Sequence, residues 1–341
     1  MRVAIYYNNK DVRIEEREIP KINDDEILVK VIASGICGTD VMEWYRIKKA
    51  PLVLGHEISG IVDKVGKNIK NFKIGDRIFV SHHVPCMRCH YCLNNHHTAC
   101  ETLHKTNFDP GGFSEYIRIP KINIEFGTFK LPENVSFEEG TFIEPLGTVV
   151  RAQILANLRE SDTLLVIGSG ISGLLHIKLA KSKNIKKIIA VDINEYRLNA
   201  AKKFGADAVI NANDDLISKI KKINDNRLVD IVIVCTGALQ AAKQALQCVD
   251  KGGTILFFAV PKPDEKFEIP INDFWKNEIR IMTSYGAAPN DLKESLELIK
   301  NKKINLNDLI THRLKFDEIQ KGFNLVAEAK ESLKVIVEPN R

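Results

Sequence analysis

Residues 164–180, LLVIGSGISGLLHIKLA, decide the fold. An unbroken apolar run, the pattern of a strand buried on both faces, passes through a glycine turn into a run with helical spacing. Glycine turns are common, so Gly168-x-Gly170-x-x-Gly173 means little alone. Here it leaves a strand, opens a helix, and is followed by Asp192 at the end of the next strand, nineteen residues after Gly173. In that context it reads as a dinucleotide fingerprint. Gly168 makes the tight turn, Gly170 admits a pyrophosphate to the backbone at the helix N-terminus, and Gly173 lets helix and strand pack closely. Ser169, Ile171 and Ser172 complete the loop. Asp192 would accept hydrogen bonds from the ribose hydroxyls and repel a 2′-phosphate, which favours NAD over NADP. Arg197 reads equally as a ribose contact or as a solvated helix residue.

Outward from this stretch, strands and helices alternate from Thr163 to Gly286. KKIIAVD, AVI, VDIVIVCTG, GGTILFFAV and EIRIMTSYG are strands, with helices over 194–204, 214–224 and 238–250 between them. Such alternation predicts a doubly wound parallel sheet covered on both faces. Residues 1–80 are different: short Val- and Ile-rich runs with Gly, Asp and Asn punctuation predict a β-rich domain. GGFSEYIRIP and INIEFGTFKLP read as further strands of it. Ser136 is a candidate N-cap for the helical pattern that follows. Helix 290–300 and the strand SLKVIVEP look like a return to the first domain. The expected fold class is therefore α/β in two domains, 1–145 with 287–341, and 146–286.

Bulk composition narrows the setting. The 341 residues are 44% apolar and 27% charged, ordinary for a globular protein, and the net charge of +5 is too mild and scattered to argue for nucleic acid or a membrane surface. The longest apolar runs, Ile231–Cys235 and Ile255–Val260, are far short of a bilayer span, and the first residues have no signal-peptide core. These features predict a cytoplasmic protein whose thiols stay reduced.

Four of the seven cysteines fall in PCMRCHYCLNNHHTAC, residues 85–100. In a reducing compartment a disulfide knot is disfavoured. Cys86, Cys89, Cys92 and Cys100, spaced Cys-x2-Cys-x2-Cys-x7-Cys, suit one tetrahedral zinc in a loop over residues 81–104. Four protein ligands leave no open position, so the site is structural. An iron–sulfur cluster and a DNA-touching zinc ribbon are the competing readings. His82, His83, His90, His96, His97 and His104 read as solvated loop residues, since four thiolates already satisfy zinc.

A second group is dispersed: Cys37 in GICGTD, His56 and Glu57 in GHEISG, Glu144 in FIEPLG. Each is unremarkable singly. In order, with the four cysteines and the glycine loop, these motifs resemble the zinc-dependent medium-chain dehydrogenases/reductases along essentially the whole chain. The glutamate in FIEPLG, and more weakly NFDPGGFSEYIRIP, resemble the sorbitol/iditol and threonine dehydrogenase branch. The resemblance implies a GroES-like catalytic domain beside a Rossmann domain, two zinc ions per chain, and NAD. It implies that Cys37 and His56 hold a catalytic zinc, with Glu57 and Glu144 at or beside it. Asp40 would fix the His56 tautomer, and Thr39 would offer its hydroxyl to the substrate oxygen. Thr236, Val260 and Lys334 would join the cofactor site, although a surface position is the other reading of Lys334. Both reactants are expected in the cleft between the domains, and a homodimer or homotetramer pairing through the strand around Arg280–Tyr285 is expected.

The chemistry this implies is hydride transfer between a secondary alcohol and NAD. A zinc with a free position makes the alcohol O–H acidic, and the nicotinamide takes the hydride. Sorbitol- or iditol-like polyols lead, with threonine or a phosphorylated polyol as alternatives. Many relatives carry a histidine proton relay five residues after the cysteine ligand. Met42 stands there, and a thioether relays no proton, so Thr39 or Glu57 is left to pass it on. Met42, Trp44 and Tyr45 are candidate cleft residues, the two aromatics equally readable as packing. Arg46, Lys48 and Lys49 read first as a solvated charge run. A nucleic-acid-binding zinc protein and a relative that has lost catalysis are the remaining readings; the fingerprint and the retained Cys37, His56, Glu57 and Glu144 weigh against them.

Overall fold

A computed structural model of the chain describes residues 1–341. It comprises two compact units, Met1–Gly147 with Gly286–Arg341, and Thr148–Tyr285. No helix is long and apolar enough to cross a membrane.

The unit Thr148–Tyr285 holds six strands: β1 (Thr163–Ile167), β2 (Lys187–Asp192), β3 (Ala208–Asn211), β4 (Val229–Val234), β5 (Val249–Phe257) and β6 (Arg280–Thr283). They lie in the order β3-β2-β1-β4-β5-β6, every pair parallel. Leu165, Ile189, Val232 and Ile255 anchor its core. The chain reverses its direction of travel across the sheet between β1 and β4, the point where such sheets bind ligands at the carboxyl ends of their strands. Gly168, Asp192, Thr236 and Val260 all stand at those ends. Gly168 has φ +96°, and a Cβ on Gly173 would come within 1.9 Å of the Gly168 carbonyl oxygen, so glycine is required at both. The helix Ile171–Ser182 starts from this loop. Strand β6 forms one edge; beside it the short helix Ile271–Lys276 leaves Trp275 76% exposed.

The other unit is built on a seven-stranded sheet. Ile310–Lys315, Lys334–Glu338, Ile27–Ile36, Glu57–Val65, Arg77–Val80 and Thr128–Lys130 lie side by side, and Tyr116–Ile119 also pairs with Ile27–Ile36. A small sheet of Asp11–Glu16, Arg2–Asn8 and Leu52–Val53 completes it. Ser136 caps the helix Phe137–Gly140 in a reciprocal box with Glu139, so the sequence signal for that boundary is met. One expectation is overturned. INIEFGTFKLP is mainly helix, Lys121–Gly127, and only Thr128–Lys130 is strand. Pro120 has no N–H for the ladder and ends the preceding strand. The buried Asn123 then pins the helix by donating to the carbonyls of Ser81 and His82.

Close strand packing explains the last glycine of GHEISG. A Cβ on Gly60 would lie 2.3 Å from the Lys30 carbonyl oxygen on the neighbouring strand. Gly60→Ala should therefore destabilise the protein by about 1–3 kcal/mol, read as a lower midpoint in denaturant.

Candidate active site and metal centres

Strand register assembles the dispersed cluster. Gly35 pairs with Glu57, Ile36 with Val335, and Ile58 with Val80, all antiparallel. Continuing each ladder by one or two residues brings Cys37, Lys334, His56 and His82 to one end of the sheet. There a sulfur of Cys37, a ring nitrogen of His56 and a carboxylate oxygen of Glu57 all lie within 4.8 Å of one another. Glu144, in the first turn of the helix Ile143–Leu155, is near enough to feel the charges of His56, Glu57 and Lys334 but is not in that group.

Polar neighbours fix each group. Asp40 is fully buried; one carboxylate oxygen accepts from the Cys37 N–H at 3.0 Å, and the other faces His56 Nδ1 at 3.4 Å. That leaves the second ring nitrogen of His56 for another partner. Burial pushes the Asp40 carboxyl up, but His56, Arg46 and the Cys37 N–H outweigh it and hold it below its usual range. Burial likewise lowers His56, yet Asp40 and Cys37 raise it well above the ordinary imidazole value. Burial raises the Glu144 carboxyl to about 7, helped by Glu57 and opposed by His56 and Lys334. Thr39 donates its hydroxyl to Cys37 Sγ at 3.3 Å.

Three side chains stand differently from the sequence reading. Lys334 is no surface lysine: it is 1% exposed, its ammonium bonded to the equally buried Glu57. Arg46 is no free member of a charge run, since it donates to the carbonyl and hydroxyl of Thr39. Lys48 and Lys49 are exposed. His82 is not a solvated loop residue either. Its ring lies 4.8 Å from that of His56 and 3.8 Å from that of His83, with Nδ1 buried and unpartnered. His90, His96 and His104 are exposed. Met42 and Trp44 are half-buried and Tyr45 is exposed.

The donors fit the metals that their chemistry suggests. A thiol, an imidazole and a carboxylate, with no fourth side chain in the group, match a zinc site that keeps one position open. In the lobe, Cys86, Cys89, Cys92 and Cys100 form a second group, all free thiols. Their sulfurs lie 3.5 Å (Cys89–Cys92) and 3.6 Å (Cys86–Cys100) apart. A tetrahedron of zinc–sulfur bonds of about 2.3 Å has edges of about 3.8 Å, so the four need to move little. Burial raises Cys92 to about 12; at Cys100 burial is outweighed by N–H donors of Cys86 and Leu103, which bring it to about 6.

In the other unit, the helix after Gly170 has no side-chain cap, so its first N–H groups are free for an anion. Asp192 accepts from the N–H groups of Ser169 at 2.7 Å and Asn194 at 2.9 Å. Arg197 lies over the loop, with Nη1 3.7 Å from the position of a Gly170 Cβ. Thr236 packs beside Gly168, and Val260 is exposed.

Residues 23–132 match the family model of the alcohol dehydrogenase GroES-like domain, and residues 172–301 that of the zinc-binding dehydrogenase. The chain is 33% identical to a sorbitol dehydrogenase of Bacillus subtilis, covering 100% of this chain and 98% of that one. It is 32% identical to an L-threonine 3-dehydrogenase of Pyrococcus furiosus, covering 92% of each. Among solved structures it is similar to a zinc-binding dehydrogenase of Sinorhizobium meliloti bound to NADP (26% identity, 99% of each chain, TM-score 0.88). It is also similar to an alcohol dehydrogenase of Escherichia coli CFT073 complexed with NADH (28% identity, 99% of each chain, TM-score 0.88).

Two donor groups predict two zinc ions per chain. Elemental analysis should find close to two in the wild type and close to one in Cys92→Ser. That variant should also melt at a lower temperature, because a closed thiolate site contributes directly to folding.

Proposed function

The chain belongs to the zinc-dependent medium-chain dehydrogenases, and from that premise we propose that it moves hydride between NAD and a secondary alcohol of the polyol class. It is a zinc-dependent oxidoreductase of the polyol dehydrogenase-like kind. The observation that carries the proposal is the meeting of thiol, imidazole and carboxylate within 4.8 Å. A carboxylate in place of a second thiolate makes a harder site, suited to oxygen-rich substrates.

In this reading Cys37, His56 and Glu57 hold the catalytic zinc, with Glu144 as a nearby carboxylate. When bound, zinc supplies a Lewis acid for the substrate oxygen and NAD the acceptor for hydride. The protein's part is placement and charge. Asp40 holds Nδ1 of His56 and so fixes its tautomer. Lys334 offsets the charge of Glu57, and that pairing competes with the family-based reading of Lys334 as a cofactor contact. Thr39 accepts a hydrogen bond from the substrate O–H rather than donating one as the sequence suggests, because its own proton goes to Cys37 Sγ. Cys86, Cys89, Cys92 and Cys100 hold the structural zinc. Gly168, Ser169, Gly170, Ile171, Ser172 and Gly173 cradle the pyrophosphate, with Asp192 on the ribose and Arg197, Thr236 and Val260 around it. Asp192 supports NAD, since a 2′-phosphate would meet its carboxylate. The exposed edge strand β6 supports a homo-oligomer, and the chain is assigned a cytoplasmic setting on its composition.

A threonine-like reading is favoured by the 32% identity to the Pyrococcus enzyme. A panel of polyols, sugar phosphates, simple primary alcohols and L-threonine, each with NAD and NADP, separates the readings by reduced-cofactor absorbance. A polyol with NAD should be turned over fastest; faster oxidation of primary alcohols than of any polyol rejects the proposal.

Glu57 gives a second test. Glu57→Gln removes an anionic donor and strands the Lys334 ammonium, so turnover should fall about 10- to 100-fold. Met42→Ala should stay near wild type. The reverse ranking would exclude a part for Glu57.

A further inference from the structure

We propose that Arg46 is the positioning residue that aims the Thr39 hydroxyl at the substrate. The inference rests on reading Thr39 as the substrate-facing hydroxyl. Thr39 is exposed, so packing alone does not fix its rotamer. The one-turn helix Glu43–Arg46 folds the chain back and returns the guanidinium to Thr39. Arg46 Nε donates to the Thr39 carbonyl oxygen at 2.9 Å, and Nη2 donates to Thr39 Oγ1 at 3.3 Å. One rigid fork thus holds both the backbone and the side chain of the same residue, which the single ammonium of lysine cannot reproduce.

The fork is itself held. Nη2 lies 3.6 Å from the buried Asp40 Oδ1, and the guanidinium carbon is 4.9 Å from the centre of the Tyr45 ring. A threonine hydroxyl has one proton and two acceptor lone pairs. Its proton points to Cys37 Sγ and Arg46 takes one lone pair. A single lone pair remains, in a set direction, to accept from a substrate O–H. Met42 offers no imidazole to organise this hydroxyl, and Arg46, four residues later, supplies the donor that does.

The test uses the zinc-loaded enzyme with the polyol and NAD that give the highest turnover, and variants Arg46→Met, Arg46→Gln, Thr39→Val and Arg46→Met/Thr39→Val. Each must keep two metals and a near-wild-type melting temperature; Arg46→Gln, which retains a donor, stands in should Arg46→Met fail to fold. Arg46→Met should lower kcat about 10- to 100-fold, the scale of a small misplacement at a reacting centre, with KM changed less than about threefold. The double variant should be no slower than Thr39→Val. A second readout needs no substrate. With cobalt(II) placed selectively at the Cys37 site, Arg46→Met should shift the thiolate charge-transfer band as Thr39→Val does, because both disturb the hydrogen bond to that sulfur. Independent, multiplying losses in the double variant, or an unmoved band in Arg46→Met, overturn the inference. Wild-type turnover in Thr39→Val would instead reject Thr39 as the substrate's partner. Slow Thr39→Val beside wild-type Arg46→Met would reject the part given to Arg46 alone.

Discussion

The antiparallel pairing of Gly35 with Glu57 is the constraint on which the site depends. It places the end of one strand, where Cys37 follows, against the start of another, where His56 and Glu57 stand. Side chains alternate along a strand, so a slip of one residue would turn Glu57 to the opposite face and separate the three donors. Register is held by the buried apolar faces of both strands: Ile27, Val29, Val31, Ile58 and Val62 belong to one core cluster. Apolar packing thus sets the spacing of the three donor groups.

How far the sequence could be read depended on how local each signal was. The glycine loop carries its reason within six residues: a turn needing φ of +96° at Gly168 and no Cβ at Gly173. The Ser136–Glu139 box is equally local. The four lobe cysteines declare themselves by spacing alone. Cys37, His56 and Glu57 do not, because their approach is made by strand pairing, which no short stretch encodes; only the family resemblance joined them. Family resemblance places Lys334 at the cofactor, with a surface position as the other reading, and its pairing with Glu57 is illegible because that partner lies 277 residues away. Arg46 sat in a basic run whose composition suggested solvent. Neither residue has a signal in its own neighbourhood. For Lys121–Gly127, the β-like composition of Ile and Phe lost to a proline and one buried asparagine.

Charge is concentrated where it is most costly. Glu57, Lys334 and Asp40 are almost wholly buried beside His56. Removing one partner of such a pair costs about 3–5 kcal/mol, more than the pair itself contributes. The arrangement therefore adds little to stability while making each member hard to replace. It preorganises an electrostatic environment around the donors, and it ties the strand Lys334–Glu338 to the chemistry of residues far earlier in the chain.

That tie has a consequence during synthesis. The unit carrying the site is discontinuous, with Gly286–Arg341 following the whole of Thr148–Tyr285. Domains fold as units while the chain emerges from the ribosome, and the parallel-sheet unit is complete in one continuous stretch. It can fold first. The strand of Lys334 emerges later, so until then Glu57 lacks its countercharge and Ser34–Ile36 lack a strand partner on that side. The order of synthesis thus delivers the whole of Thr148–Tyr285 before the segment that supplies the countercharge of Glu57.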